Sequence, residues 1–190
     1  MITTYHTECI ALKNVTVSAL ENPIESLPIQ YSMYGKANQQ KDNVIWVFHA
    51  FTGSSNVMEW WEGMFNENGF FDLSKYCIIC FNIPGSCYGS FSPVSDINNP
   101  IFHGLSFPIL TIRDIAHIFL KTLNYLDISE VCLGIGGSMG GQVLLECLIQ
   151  APNVFHKACL IASNAKHSPW SIGINHTQRS ALALDSTFGN

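Results

Sequence analysis

Val131-Cys-Leu-Gly-Ile-Gly-Gly-Ser-Met-Gly-Gly141 is the stretch from which the rest of the chain can be read. A short apolar run ends in Gly136-Gly137-Ser138-Met139-Gly140, and an apolar, helix-compatible segment follows at once. The order strand, tight turn, helix turns a bare G-x-S-x-G into a nucleophile elbow. A serine at such a turn sits in strained backbone, so its neighbours must be small. Gly136 and Gly140 let the chain reverse and let strand and helix approach closely. The Oγ is then exposed at the positive end of a helix, where a developing oxyanion is stabilised. Ser138 is the candidate nucleophile; the plainer reading is a glycine-rich turn that merely joins a strand to a helix.

Outward from the elbow, strand-like and helix-like segments alternate, which is the signature of a mainly parallel sheet covered by helices on both faces. Residues 11–17 and 29–34 read as two early strands, joined through the segment around Pro23 and Pro28 and forming an antiparallel edge. Residues 44–49 and 76–82 read as buried strands. Residues 82–100 form a loop rich in Gly, Ser, Pro and Asn, longer than a connector needs to be, which favours a functional role. Ile112, Ile115, Phe119, Leu123 and Leu126 recur at helical spacing and predict an amphipathic helix over 111–126. The helix from Ser138 is apolar nearly all round and stops before Pro152, so it belongs in the middle of a domain. Residues 158–162 predict one more strand, after which the sheet pattern ends.

The chain has 190 residues, enough for one domain with a real core. Charged residues are only 12% and hydrophobic ones 47%, less charge than a complete soluble domain normally needs to cover its outside. That balance predicts either an obligate partner or a chain that is the N-terminal part of a larger domain. No apolar run reaches the length of a membrane span, and the N-terminus lacks the basic start and apolar centre of a signal peptide. Seven scattered cysteines suggest reduced thiols and a cytoplasmic protein. Cys77 and Cys80 have C-x-x-C spacing but lie in an apolar run, and no second Cys or His pair completes a zinc site, so they read as core and no metal is expected. A net charge of −5 with no basic cluster argues against nucleic acid.

A serine hydroxyl needs a base to take its proton and donors to receive the oxyanion. One donor is the backbone N–H of Met139, directly after the nucleophile. The other belongs to the loop after the third strand, His49-Ala-Phe-Thr-Gly53, where Phe51 N–H is the best-placed group. His49 ends a strand ahead of that loop and reads as structural, hydrogen-bonding the loop, rather than as the base. After Ser138 the chain offers His156, His167, His176 and Asp185, with no acid ahead of a histidine in the order this architecture requires. The base and acid are therefore not located.

Several segments, in one order along the chain, resemble the homoserine O-acetyltransferase family. They are His49-Ala-Phe-Thr-Gly53, Trp60-Trp61, Asn82-Ile-Pro-Gly-Ser-Cys-Tyr-Gly-Ser90 with Pro93, Phe107-Pro108 with Thr111-Ile-Arg-Asp114, the elbow, and Asn175 to Arg179. The resemblance implies an α/β-hydrolase fold, with residues 1–190 as the N-terminal part of a single such domain that stops before the lid and the last strands. It implies that Ser138 takes an acetyl group from acetyl-CoA, a co-substrate rather than a bound cofactor, and passes it to the hydroxyl of homoserine in methionine biosynthesis. It implies a catalytic Asp and His beyond Asn190, poor activity for these residues alone, and a homodimer for the full-length enzyme. Within the matching segments, Trp60 and Trp61 read as helix packing more readily than as substrate contacts. Cys87 reads either as acyl-site lining or as a half-buried loop thiol. Arg113-Asp114 reads as a helix-start ion pair or cap, and Arg179 as a surface or lid contact rather than a carboxylate ligand. Two other functions use the same residues: a serine esterase on the same fold, and a non-catalytic chain acting as a binding partner.

Overall fold

Residues Val44–Phe48 are apolar at every position because both faces of that strand are covered, the expected composition of an interior parallel strand. Around it the computed structural model, which describes residues 5–66, 69–94 and 102–188, builds a six-stranded sheet. In chain order the strands are β1 (Tyr5–Val15), β2 (Ile24–Tyr34), β3 (Val44–Phe48), the short β4 (Phe65–Asn66) and β5 (Phe71–Asp72), β6 (Cys77–Phe81), β7 (Leu133–Gly137) and β8 (Ala158–Ile161). The helices are α1 (Val57–Trp60), α2 (Ile112–Tyr125), α3 (Met139–Gln150) and α4 (Pro169–Leu182). The large sheet has the order β1-β2-β6-β3-β7-β8, with β4 and β5 paired separately. β6, β3, β7 and β8 are mutually parallel, and β1 and β2 form an antiparallel edge.

Alternation along the strands makes two cores. Trp46 and Phe48 turn to one face and pack with Phe81, Phe119, Val143 and Leu144, so α2 and α3 cover that side. Ile45 and Val47 turn to the other, where Val57, Phe65, Phe71, Trp60 and Trp61 from residues 57–73 close over them. Trp60 and Trp61 are thus packing residues, their rings 4.9 Å apart and Trp61 5.9 Å from Phe65. Cys77 and Cys80 are fully buried, and burial pushes the Cys77 thiol up to about 11, so the C-x-x-C pair is core.

Some local expectations change. Pro28 lies inside β2, opposite Ala11, rather than in the connection between the first two strands. β2 pairs with β6 only over residues 31–34, so the missing N–H of Pro28 interrupts no ladder on that side. Arg113 pairs with Glu146 at 3.0 Å instead of with its neighbour Asp114. Asp114 closes a capping box: it accepts from Thr111 N at 2.8 Å, while Thr111 Oγ1 accepts from Asp114 N at 3.1 Å. Ser18 N and Oγ also donate to Asp114, at 2.8 and 2.7 Å, which pins the β1–β2 connection to α2. α3 buries one face, Gly140, Gly141, Val143, Leu144 and Cys147, whereas Ile149 is exposed, so this helix is covered on one side rather than all round. All four residues of β8 are exposed, and α4 buries none of its side chains.

Candidate active site

The parallel strands all end at the same edge of the sheet, and the loops leaving them converge there: His49 after β3, Asn82 after β6, Ser138 after β7 and Ala162 after β8. In open α/β sheets this edge is where ligands bind. The elbow lies at its centre. Ser138 has φ 52° and ψ −121°, a conformation L-residues rarely adopt, and its side chain is exposed. Ser138 N donates to Ile161 O at 3.0 Å, and Ser138 O accepts from Gly141 N at 3.0 Å and from Ser163 Oγ at 2.9 Å. These bonds hold the strained residue from β8, from α3 and from the loop after β8.

The glycines around it are needed for space. A Cβ on Gly140 would lie 2.1 Å from Phe48 O and 2.6 Å from His49 O, and one on Gly136 would lie 2.6 Å from Gly140 O. A Cβ on Gly137 would meet nothing within 4 Å. So the pattern G-x-S-x-G is enforced at its first and last positions, because α3 starts in contact with the backbone leaving β3.

Among the described residues, the amides of Met139 and Phe51 donate to no protein acceptor, as oxyanion donors require. Both residues line one predominantly apolar cleft of about 810 Å³, with Ile83, Cys87, Phe107 and Leu110 among its other walls. Cys87 is exposed there rather than half-buried. Ser138 itself borders a smaller pocket of about 240 Å³ with Gln142, Ser163, Asn164, His167 and Asn175.

His49 is fully buried and its ring is used at both nitrogens. Nε2 accepts from Ile83 N at 3.0 Å, so Nδ1 carries the proton and donates to Ala50 O at 2.8 Å. Burial lowers its pKa, and the Ala50 bond opposes that only in part. His49 is thus a neutral strut between the candidate oxyanion loop and the loop after β6. Among the described residues no base reaches Ser138 Oγ by a hydrogen bond. His167 shares the small pocket with Ser138, closer to it than a position after one further strand suggests, while His156 pairs with Glu130 at 2.9 Å elsewhere. Arg179 and Asp185 lie at and beyond the exposed end of α4.

Asn82 is a site residue that sequence reasoning did not single out. It is fully buried; its Oδ1 accepts from Ser55 N at 2.6 Å and its Nδ2 donates to Tyr88 O at 2.5 Å. Its backbone N donates to Gln30 O at 2.8 Å and its carbonyl accepts from Ser90 Oγ at 2.7 Å. Asn82 therefore ties Ser55, just past the candidate oxyanion loop, to Tyr88 in the wall of the apolar cleft. The available signal was an amide side chain directly after an apolar strand, opening a glycine-rich loop. The stretch 95–101 of that loop lies outside the described residues.

Comparison with known proteins agrees with this geometry. Residues 43–190 match the family described as the alpha/beta hydrolase fold. The chain is 47% identical over 169 residues to a homoserine O-acetyltransferase of Cyclobacterium marinum, an alignment covering 87% of this chain and 48% of that protein. Among solved structures it is similar to a homoserine O-acetyltransferase from Staphylococcus aureus (TM-score 0.81, 25% identity, 96% of this chain and 54% of the other). It is equally similar to an acetylester hydrolase from Corynebacterium glutamicum (TM-score 0.81, 27% identity, 97% and 51%). The chain spans about half the length of the curated relatives it matches.

Proposed function

Since the chain belongs to the alpha/beta hydrolase fold family, we propose that it is an acyltransferase of the homoserine O-acetyltransferase type, with Ser138 as nucleophile. The observation that carries the reading is the strained, exposed Ser138 followed directly by the Met139 amide, which, like the Phe51 amide in the same cleft as Met139, has no protein acceptor among the described residues. Ser138 Oγ attacks the thioester carbonyl of acetyl-CoA, its proton passing to a base, and the coenzyme A thiol leaves with a proton. The acetyl ester on Ser138 is then attacked by the homoserine hydroxyl, and Ser138 regains its proton. In both steps negative charge collects on the carbonyl oxygen, and the two amides receive it. No base is within hydrogen-bond reach of Ser138 among the described residues, so residues 1–190 by themselves retain only what the donors supply, roughly 10³–10⁴ over water.

The identity to homoserine O-acetyltransferases favours an alcohol acceptor. The similarity to an acetylester hydrolase supports a second reading in which water is the acceptor. Incubation of the complete gene product with acetyl-CoA, followed by peptide mass spectrometry, tests the shared step. One acetyl group on the peptide carrying Ser138 is expected; acetyl on Cys87 or another serine overturns the assignment. Adding L-homoserine then separates the two readings, because O-acetylhomoserine accumulates only in the first.

A further inference from the structure

Ser138 borders one pocket and its neighbour Met139 lines a second of different chemistry. The cleft of about 810 Å³ that Met139 and Phe51 line is walled mostly by apolar side chains and suits an extended acyl donor. The pocket that Ser138 itself borders, about 240 Å³, lies below the ~300–1,000 Å³ of drug-sized sites; amides, hydroxyls and one imidazole make up most of its walls, with Ala162, Trp170 and Ile174 as the apolar part. Its polar groups are already organised. Gln142 Nε2 donates to Asn164 Oδ1 at 3.1 Å and stands 3.5 Å from His167 Nε2. Gln142, in the first turn of α3, lines the same pocket as Ser138.

The loop carrying Asn164 and His167 is anchored to the elbow. Ala162, its first residue, has φ 48°, a strained conformation for a non-glycine, and Ser163 Oγ donates to Ser138 O at 2.9 Å. Backbone strain of this kind persists only where the surroundings hold it in place. Here Ser163 Oγ donates to the Ser138 carbonyl and Ser138 N donates to Ile161 O at 3.0 Å, one bond on each side of Ala162, so the loop's position is fixed relative to Ser138.

We propose that Gln142, Asn164 and His167 form the acceptor pocket, which takes a small zwitterionic hydroxy amino acid and presents its hydroxyl to Ser138. The inference rests on the acyltransferase reading for its choice of acceptor. It adds which residues select that acceptor. Amide and imidazole groups can each donate to a carboxylate or accept from an ammonium, whereas the apolar chain of a simple alcohol offers nothing to the hydrogen-bonding capacity that remains once Gln142 and Asn164 have paired. Gln142, Asn164 and His167 are specificity residues in this account and move no proton.

Equilibrium binding of L-homoserine and of 1-butanol to the complete gene product, measured by ligand-observed NMR, tests the pocket independently of turnover. L-homoserine is expected to bind and 1-butanol not to. Gln142→Leu and His167→Phe should each weaken L-homoserine binding about tenfold, the effect of leaving one or two polar groups unpaired. His167→Gln, which keeps a donor and an acceptor, should stay within about threefold of the parent. Circular dichroism of each variant shows whether it has folded. Equal L-homoserine binding by folded Gln142→Leu and the parent overturns the proposal, as does tight binding of 1-butanol or no binding of L-homoserine by the parent. In a transfer assay the KM for homoserine should rise about tenfold in Gln142→Leu while the KM for acetyl-CoA moves less than about twofold. Equal shifts in both count against the pocket. Binding without any transfer would leave the pocket standing and sink the acyltransferase reading.

Discussion

His49 Nε2 accepts the backbone N–H of Ile83 at 3.0 Å, joining the loop that follows β3 to the loop that follows β6. The bond requires the neutral ring, and burial holds the His49 pKa below its usual value. The folded chain therefore resists a proton that the unfolded chain accepts. The stabilisation is complete above the ordinary histidine value of about 6.5 and is lost progressively as the pH falls from there through the lowered folded value. Urea midpoints for His49→Gln should vary less between about pH 7 and 5 than those of the parent. Parallel profiles for the two proteins would show that His49 is not a titrating strut.

Ser138 occupies backbone that suits glycine, the φ and ψ of the first central position of a type II′ turn. Ser138→Gly should release strain worth about 1 kcal/mol and melt above Ser138→Ala, which keeps a Cβ at φ 52°. Both changes remove the proposed nucleophilic hydroxyl. Equal melting temperatures for the two variants, by calorimetry, would mean that the elbow stores no strain at this residue.

Gly140 and Gly137 offer a matched pair. Gly140→Ala places a methyl 2.1 Å from Phe48 O, and neither backbone can move without separating α3 from β3. It should cost about 3 kcal/mol or more and prevent soluble expression. Gly137→Ala enters open space and should change stability by less than about 1 kcal/mol. Comparable melting temperatures for the two would refute the account of why the motif carries its glycines.

The parts of this fold that sequence made legible are those with strong local signals. β3, β6 and β7 are continuous apolar runs, α2 has its period and its Thr111 cap, and the elbow has glycines at the two positions where a Cβ clashes. The neutral strut at His49 was legible from its place at a strand end. Asn82 was not, because its role depends on which loops the sheet order brings beside it: β6 lies between β2 and β3, far from both in sequence. Arg113 paired with Glu146 for the same reason, a contact between α2 and α3 that spacing along one helix cannot reveal. α4 was missed since it buries no face and so shows no apolar period, although Ser168 followed by Pro169 is a helix-start signal.

Asn82 gives a sharper test of the loop architecture. Asn82→Leu would leave Ser55 N–H buried without its partner, at about 1–3 kcal/mol, while the half-exposed Tyr88 C=O can turn to water. Asn82→Asp keeps the acceptor for Ser55 but sets a carboxylate oxygen against Tyr88 O, so it should be less stable at pH 8 than at pH 5, where the acid can protonate and donate. Chemical denaturation at the two pH values reads both effects. A pH-independent Asn82→Asp, relative to the parent, would mean that the Tyr88 contact contributes nothing.

β8 closes one edge of the sheet, with Leu160 and Ile161 each 42% exposed, and no strand pairs its outer side among the described residues. Trp170, Ile172, Ile174 and Leu182 of α4 add further exposed apolar surface nearby in sequence. An unpaired strand edge beside apolar side chains is a template for association, and charged residues at 12% of the chain provide little repulsion against it. Residues 1–190 expressed alone should therefore self-associate in a concentration-dependent way on size-exclusion chromatography. A lysine in an edge strand disfavours strand-to-strand pairing, so Leu160→Lys should shift the population toward monomer without lowering the content of regular structure. If the parent elutes as a stable monomer at every concentration, the β8 edge is not an association surface. If Leu160→Lys associates as strongly as the parent, association runs through α4 or another face.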